Sequence, residues 1–310
     1  MLQEVLETLA PKDGGVYVDG TFGAGGYARA ILQAANCTLY AIDRDPEAFA
    51  RATAMTHEFG GRLKPLHGCF GSVAELLETA GVATIDGIVL DLGVSSIQLS
   101  TPQRGFSFMH DGPLDMRMSK EGISARDVVN KAGEKELADI IFNYGEERAS
   151  RQIAKKIVTV RKETPLETTK DLARVVHSVL PMHGGMKTDT ATRTFQALRI
   201  YVNDELGELE RALAAAERLL NPDGRIVVVS FHSLEDWRVK NFLKEKSGRT
   251  ANASRHMPVV KDARKPSFAM EENNGLKPTD EETARNPRAR SARLRYALRT
   301  TAPVMENSHA

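Results

Sequence analysis

Short, continuously apolar strands alternate with amphipathic helices over the first hundred residues, and this alternation limits the possible folds more than any other feature. The predicted strand Thr38–Asp43, for example, is followed by a helix that Asp45 caps and Pro46 opens. Strands that are apolar at every position are buried on both faces, so they belong to a parallel sheet between layers of helices. We predict strands at residues 16–19, 38–43, 62–67 and 85–92, with helices at 27–35, from 46 and at 72–79.

The alternation stops near residue 103 and returns near residue 191. The stretch between holds no convincing buried strand but shows helical patterns at residues 134–144, 147–160 and 169–180. We therefore predict a discontinuous α/β domain, residues 1–103 and 191–310, with an inserted helical substrate-recognition subdomain at 104–190. The returning part is predicted as a long helix at 191–220, a strand at 225–231, a helix at 234–246, a long loop at 247–286 and a last strand at 292–299. That last strand alternates leucine and tyrosine with arginine, which is typical of a strand with one buried face.

Composition excludes several classes of protein. Hydrophobic residues make up 41% of the chain and charged residues 27%, as expected of a packed globular protein. No stretch approaches about 18 consecutive apolar residues, and the acidic N-terminus lacks the basic start of a secretory signal. Cys37 and Cys69 are the two cysteines, and the eight histidines lack ligand spacing. We expect a cytoplasmic protein with no membrane association, no disulfide framework and no metal site.

Positive charge is concentrated in two runs although the net charge is only +1. Residues 285–299 hold six arginines and no acidic residue. In the second run the cations recur at helical spacing opposite Ile153, Ile157 and Val160, and they are Arg148, Arg151, Lys155, Lys156, Arg161 and Lys162. Each run alone is explained by a solvated surface. Two runs in one cofactor-using enzyme favour a polyanionic substrate.

A glycine-rich loop, Gly23-Ala24-Gly25-Gly26-Tyr27-Ala28, joins a predicted strand to a predicted helix, as in nucleotide-binding folds. Asp43 ends the next strand, where a carboxylate can accept hydrogen bonds from ribose hydroxyls. A nicotinamide dehydrogenase shares both features. Asp19 disfavours a pyrophosphate beside the loop but suits a cation, and Asp91 adds a second carboxylate at the same sheet edge. Phe70 is either a lid for an adenine ring or part of the core.

Longer motifs resemble the MraW (RsmH) family over nearly the whole chain. Those in the first half are Asp19-Gly20-Thr21-Phe22-Gly23-Ala24-Gly25-Gly26, Ala41-Ile42-Asp43-Arg44-Asp45-Pro46, Leu90-Asp91-Leu92-Gly93-Val94-Ser95-Ser96, Arg104-Gly105-Phe106-Ser107-Phe108 and Asp111-Gly112-Pro113-Leu114-Asp115-Met116-Arg117-Met118. Those in the second half are Tyr144-Gly145-Glu146-Glu147-Arg148, Ala191-Thr192-Arg193-Thr194-Phe195-Gln196-Ala197-Leu198-Arg199-Ile200, Ser230-Phe231-His232-Ser233-Leu234-Glu235-Asp236 and Asn286-Pro287-Arg288-Ala289-Arg290-Ser291.

The resemblance implies a Rossmann-like class I methyltransferase sheet and a specific reaction. Members of the family methylate the N4 amino group of a cytidine in the decoding centre of 16S ribosomal RNA. The implied partner is that RNA, within the small ribosomal subunit, and the protein is a monomer or a homodimer. The implied cofactor is S-adenosyl-L-methionine, and its expected contacts are Gly25, Gly26, Tyr27, Asp43, Phe70, Asp91 and Gln98.

Three positions depart from the family pattern. Tyr27 replaces the usual histidine, which preserves a backbone contact but changes a side-chain contact. Ile97 replaces the proline that usually precedes Gln98, which loosens the loop that aims this amide. The chain also begins just inside the family's N-terminal segment, so we expect a few residues of that segment to be missing.

A cytosine amino group is a poor nucleophile because its lone pair is delocalised into the ring. The enzyme has to aim the nitrogen at the methyl carbon and accept an amino proton. Asp91 and His232 are candidates for that acceptor, although a structural, hydrogen-bonded role is favoured for His232, and the sequence assigns no catalytic base. A base extruded from folded RNA also needs an aromatic ring to stack on, for which Phe106, Phe108 and Phe231 are candidates.

Three other functions remain open at this level. A DNA amino methyltransferase shares the fold and the chemistry, but the Asn/Asp-Pro-Pro-Tyr tetrapeptide of many such enzymes is absent. A nicotinamide oxidoreductase accounts for the glycine loop and Asp43. A non-catalytic RNA-binding or assembly factor with a vestigial pocket accounts for the basic runs.

Overall fold

The computed structural model describes residues 1–181, 188–249, 265–270 and 275–304. These form two compact units, one made of Met1–Gly93 with Leu206–Ala310 and the other of Val94–Glu205. The domain boundaries predicted from the sequence, 103/104 and 190/191, both lie inside the second unit.

The first unit begins with alternating helices and strands, as the sequence predicts. In chain order these are α1 (Leu2–Leu9), β1 (Val16–Asp19), α2 (Gly26–Ala34), β2 (Thr38–Asp43), α3 (Pro46–Met55), β3 (Leu63–His67), α4 (Val73–Thr79) and β4 (Ile85–Asp91). The start of α3 is capped as expected, because Asp45 Oδ1 accepts a hydrogen bond of 3.0 Å from Glu47 N and Pro46 fills the first turn.

The second unit is helical. Its helices are α5 (Ser96–Ser100), α6 (Ala125–Lys131), α7 (Glu134–Gly145), α8 (Ser150–Arg161), α9 (Thr169–Val179) and α10 (Thr192–Asn203). Phe106 is buried in their shared core, and Phe108 packs edge-on against Phe195 with ring centroids 4.8 Å apart. Both candidate stacking rings of this unit therefore serve its core. Asp115 and Arg117 form a bidentate ion pair within the same unit.

The chain then completes the first unit. The remaining elements are α11 (Glu205–Leu219), β5 (Leu220–Ser230), α12 (Ser233–Lys246), β6 (Phe268–Ala269), α13 (Asp280–Arg285) and β7 (Arg293–Arg299).

The seven strands form one sheet in the order β3-β2-β1-β4-β5-β7-β6. Neighbouring strands from β3 to β5 are parallel, and β7 is antiparallel to both β5 and β6. Alternate residues of the central strands enter different cores: Ile88 and Ile226 pack on one side, and Val89 and Val227 on the other. The predicted Rossmann-like α/β class is confirmed, since both faces of the sheet are covered by helices.

The predicted helix at 191–220 is wrong, because the structure has two helices there. Helix α10 ends at Asp204, the C-cap residue, whose φ of 47° is left-handed. The apolar residues keep their helical spacing across Asp204, so their pattern does not reveal that one helix ends there and another begins.

The prediction of a last strand with one buried face is also wrong. β7 lies between β5 and β6, and its arginines Arg295 and Arg299 are 5% and 7% exposed. Arg295 pairs with Asp236 at 2.7 Å, and Arg299 donates to the carbonyl oxygens of Glu217, Ser267, Thr300 and Ala302. Intramolecular acceptors thus allow arginine on a covered face.

The predicted loop at 247–286 is wrong in part, since it contains β6 and α13. Residues 250–264 and 271–274 of that prediction lie outside the described residues. Ser267, just before β6, donates a hydrogen bond of 2.6 Å to Glu217 Oε1.

We expect Lys246→Met to destabilise the protein. Lys246 Nζ lies 3.0 Å from Glu217 Oε2, and both side chains are 2% exposed. Removing the ammonium takes away a charge partner of the buried Glu217 carboxylate, which costs about 3–5 kcal/mol. Arg126→Gln is the control, because its pair with Glu167 is half exposed and is worth about 1 kcal/mol or less. Equal shifts in the midpoint of urea unfolding for the two variants would contradict the expectation.

Candidate functional site

The glycine loop between β1 and α2 is fastened to the ends of the two strands that flank β1. Gly20 N donates to Val89 O at 2.9 Å, on β4, and Phe22 N donates to Ile42 O at 3.1 Å, on β2. The Thr21 hydroxyl also accepts a hydrogen bond of 2.7 Å from Asp91 N. The loop therefore crosses the carboxyl edge of the parallel sheet, where strands β1, β2 and β4 end.

Asp43 holds the loop from the β2 side. Its Oδ2 accepts from Gly23 N at 2.8 Å, and its Oδ1 accepts from Asp45 N at 2.9 Å. Burial raises the pKa of this carboxyl group, although the two backbone donors oppose that effect. Asp43 thus lies where the sequence placed it, with one backbone bond to each oxygen.

Gly25 and Gly26 shape the start of α2. Gly25 has a φ of +81°, and a Cβ there would lie 2.7 Å from Phe22 Cζ, so both the backbone conformation and the lack of space disfavour any other residue. A Cβ on Gly26 would meet nothing within 4 Å. The first turn of α2 therefore opens on free space, where its backbone N–H groups can meet a ligand.

Two carboxylates with buried oxygens, Asp19 and the half-buried Asp91, lie under this loop. Asp19 is fully buried; its Oδ1 accepts from Thr21 N at 3.1 Å, but its Oδ2 has no hydrogen-bond partner among the described residues. Asp91 Oδ1 is likewise buried without a partner. Burial raises the pKa of each carboxyl group to about 7, and the negative charge of Asp19 adds to the effect on Asp91. Orphaned buried acceptors of this kind are rare and call for a donor or a cation.

Tyr27 and Phe70 lie beside the carboxylates and the loop. Burial, followed by the charges of Asp91 and Asp19, raises the pKa of the Tyr27 phenol. Phe70 follows β3, and its Cβ lies 3.4 Å from the point that a Cβ on Gly20 would occupy. The Phe70 ring also packs against the core, so both interpretations of this residue stay open.

Gln98 belongs to the second unit. Its Oε1 accepts from Ser95 N at 2.9 Å and its N donates to Ser95 Oγ at 3.2 Å, which closes the N-terminus of α5. Its contact with a cofactor stays a prediction.

His232 follows β5 and caps α12. Glu235 Oε2 accepts from the backbone N–H groups of Phe231 and His232, and Glu235 Oε1 lies 2.9 Å from His232 Nε2. Phe231 packs partly into the core of this unit. Glu235 thus holds the backbone of His232 at the carboxyl end of β5, whereas neither ring nitrogen has a hydrogen-bond partner among the described residues.

Sequence reasoning missed the roles of Thr21 and Glu235. Glu235 follows the helix cap by three positions, which is the spacing of a capping box, but histidine at the cap hid that signal. Nothing in the sequence distinguishes the Thr21 hydroxyl from other loop residues.

A family model described as the MraW methylase family matches residues 1–300. The chain belongs to the MraW methylase family. It is therefore a methyltransferase, and the interpretations as a nicotinamide oxidoreductase and as a non-catalytic factor are wrong.

Curated relatives agree over almost the full length. A Hyphomonas neptunium protein is 56% identical, over 97% of this chain and 88% of its own. A Paramagnetospirillum magneticum protein is 55% identical, over 99% and 96%, and a Rhodospirillum centenum protein is 57% identical, over 97% and 91%. All three are named ribosomal RNA small subunit methyltransferase H.

In the part of the chain that the structure describes, no helix has the length and apolarity needed to cross a bilayer.

We expect the unliganded protein to lose stability as the pH rises toward 8, and Asp19→Asn to lose less. The pKa of Asp19 is 3.8 ordinarily and about 7 in the fold. The folded state therefore binds more protons between these values, so stability falls as the pH rises through about 7. Asparagine keeps the oxygen that accepts from Thr21 N but cannot ionise.

Thermal unfolding at pH 5 and pH 8 tests this. Relative to the unaltered protein, Asp19→Asn should have a higher melting temperature at pH 8 than it has at pH 5. A difference that does not change with pH would rule out a titrating Asp19.

Proposed function

We propose that this protein transfers a methyl group from S-adenosyl-L-methionine to the N4 amino group of a cytidine in the decoding region of 16S ribosomal RNA. Membership of a methylase family and the names of the curated relatives support ribosomal RNA of the small subunit as the substrate. The observation that carries the chemistry is the pair of carboxylates with buried, unpartnered oxygens, Asp19 and Asp91, under an open glycine loop. This substrate implies action in the cytoplasm on RNA within the small subunit.

The residues around the loop fit such a cofactor. When bound, S-adenosyl-L-methionine supplies an electrophilic methyl group on a positively charged sulfonium. The unpartnered oxygens of Asp19 and Asp91 suit its positive charges, because neither accepts a well-formed hydrogen bond from the described residues. Asp43 would accept from the ribose hydroxyls through lone pairs that Gly23 and Asp45 leave free.

The remaining expected contacts frame the same site. Gly25 and Gly26 let the backbone of α2 approach the ligand, with Tyr27 in the first turn. Phe70 would cover the adenine ring. We keep Gln98 as a proposed contact, with its amide held by Ser95.

The proton of the amino group needs an acceptor when the new N–C bond forms. Asp91 is the better candidate, because its Oδ1 lies at the carboxyl edge of the sheet without a hydrogen-bond partner among the described residues. His232 is the second candidate at the end of β5, where its Nε2 lies 2.9 Å from Glu235 Oε1.

Labelled methyl transfer tests the proposed function. The purified protein should label the 16S RNA of small subunits from cells that lack the enzyme, and it should not label duplex DNA. At saturating cofactor we expect Asp91→Asn to slow single-turnover transfer more than His232→Gln does. Labelling of DNA alone would support the DNA amino methyltransferase instead.

We expect Asp43→Ala to weaken cofactor binding by about 1–3 kcal/mol, or roughly 5- to 150-fold in Kd. Asp86→Ala is the matched control, since Asp86 also accepts two hydrogen bonds, from Val16 N and Asn221 Nδ2, but lies at the opposite ends of the strands. Calorimetry should show a higher Kd for the first variant and an unchanged Kd for the second. An unchanged Kd for Asp43→Ala would remove Asp43 from the site.

A further inference from the structure

Helix α8 exposes a row of cations with no acidic residue among them. The helix spans Ser150–Arg161, and its twelve residues include neither aspartate nor glutamate. Five exposed cations lie on it or beside its ends: Arg148, Arg151, Lys155, Lys156 and Lys162. Arg161 differs, since it is half buried and donates to Val129 O at 2.7 Å.

The packing of α8 fixes which way these cations point. Ile153, Ala154 and Ile157 are fully buried in the core of the second unit. At roughly 100° per residue, Arg151, Lys155 and Lys162 fall within about 40° of one another on the exposed side. They form a stripe roughly 16 Å long, at a rise of about 1.5 Å per residue.

The stripe has no counterions, unlike other cations of this unit. Arg126 pairs with Glu167, Lys131 with Asp127 and Arg174 with Asp171. Within the described ranges, none of Arg151, Lys155 and Lys162 lies in an ion pair. The stripe is therefore available to an external anion.

The arrangement also works against the helix itself. Arg151 and Lys155 are like charges at i and i+4, which is a destabilising spacing. The first turn of α8 holds no acidic residue, although the positive end of a helix favours one. A bound polyanion would offset both effects.

The C-terminal basic run does not offer the same surface. Of the six arginines in this run, Arg295 is buried and paired with Asp236, so it is not available to phosphate. Arg285, the first arginine of the run, lies 3.8 Å from Glu282. Arg288 and Arg290 are exposed but lie on a short 3-10 turn.

We propose that the α8 stripe, Arg151, Lys155 and Lys162, binds phosphate groups of the RNA substrate. This inference rests on the proposed function and names the surface that holds its substrate. A row of cations that carries no acidic residue and no counterion matches the uniform charge of a nucleic-acid backbone.

The double variant Arg151→Gln/Lys155→Gln tests the proposal by filter binding to transcribed 16S RNA. If both side chains contact phosphate, the slope of log affinity against log salt should fall by roughly 1.4–1.8, at about 0.7–0.9 per contact. If the two proteins bind RNA equally at 1 M salt, the variant should bind roughly 25- to 60-fold more weakly than the unaltered protein at 0.1 M salt. The melting temperature should stay equal or rise slightly, because a like-charge pair is removed, and cofactor affinity should not change.

Lys131→Gln/Arg174→Gln is the matched control, with the same change of charge on the same unit but at cations that already have partners. Its salt slope should match that of the unaltered protein. An unchanged slope for the α8 variant would overturn the proposal. The proposal would also be overturned if the α8 variant bound free RNA normally but bound whole subunits more weakly, because that result indicates that the stripe contacts a protein. If the unaltered protein methylates no small-subunit RNA, the proposed function fails. If it methylates this RNA and the α8 variant keeps the salt slope of the unaltered protein, only this inference is refuted.

Discussion

The carboxylate of Asp43 and the hydroxyl of Thr21 fix the glycine loop to the edge of the sheet, and the site depends on this attachment. Parallel strands bring Asp19, Asp43 and Asp91 to one edge, because all three residues end their strands. Hydrogen bonds from Gly23 N to Asp43 and from Asp91 N to Thr21 then hold the loop over that edge. The backbone of α2 can approach a ligand only because the loop is held there.

Holding three carboxylates together has an electrostatic cost, which backbone N–H groups relieve fully for neither Asp19 nor Asp91. Asp19 and Asp91 each keep an oxygen without a partner, and their mutual repulsion raises the pKa of Asp91 beyond the effect of burial. Two buried cations elsewhere in this unit do have counterions, since Lys246 pairs with Glu217 and Arg295 with Asp236. The contrast marks the loop edge as the place prepared for a positively charged ligand.

Sequence patterns predicted the part of the fold that rests on local chemistry. The β2 strand and the Asp45 cap of α3 occur as predicted, because apolar runs and caps act within a few residues. The break at Asp204 and the burial of Arg295 and Arg299 depend on contacts between distant segments, which periodicity does not record. The same limit applies to the site: Asp19 and Asp91 are visible as residues, but their lack of partners is visible only in three dimensions. The two basic runs look alike in the sequence, and only packing separates the exposed α8 stripe from arginines that hold the sheet together.

We propose that an amino group of small-subunit RNA receives a methyl group at this carboxylate-lined edge. Mass spectrometry of 16S RNA fragments from cells with and without the protein tests it most directly. The account predicts that one fragment from the decoding region gains a methyl group on a cytidine N4 only when the protein is present. Identical methylation of that fragment in both kinds of cell would contradict it.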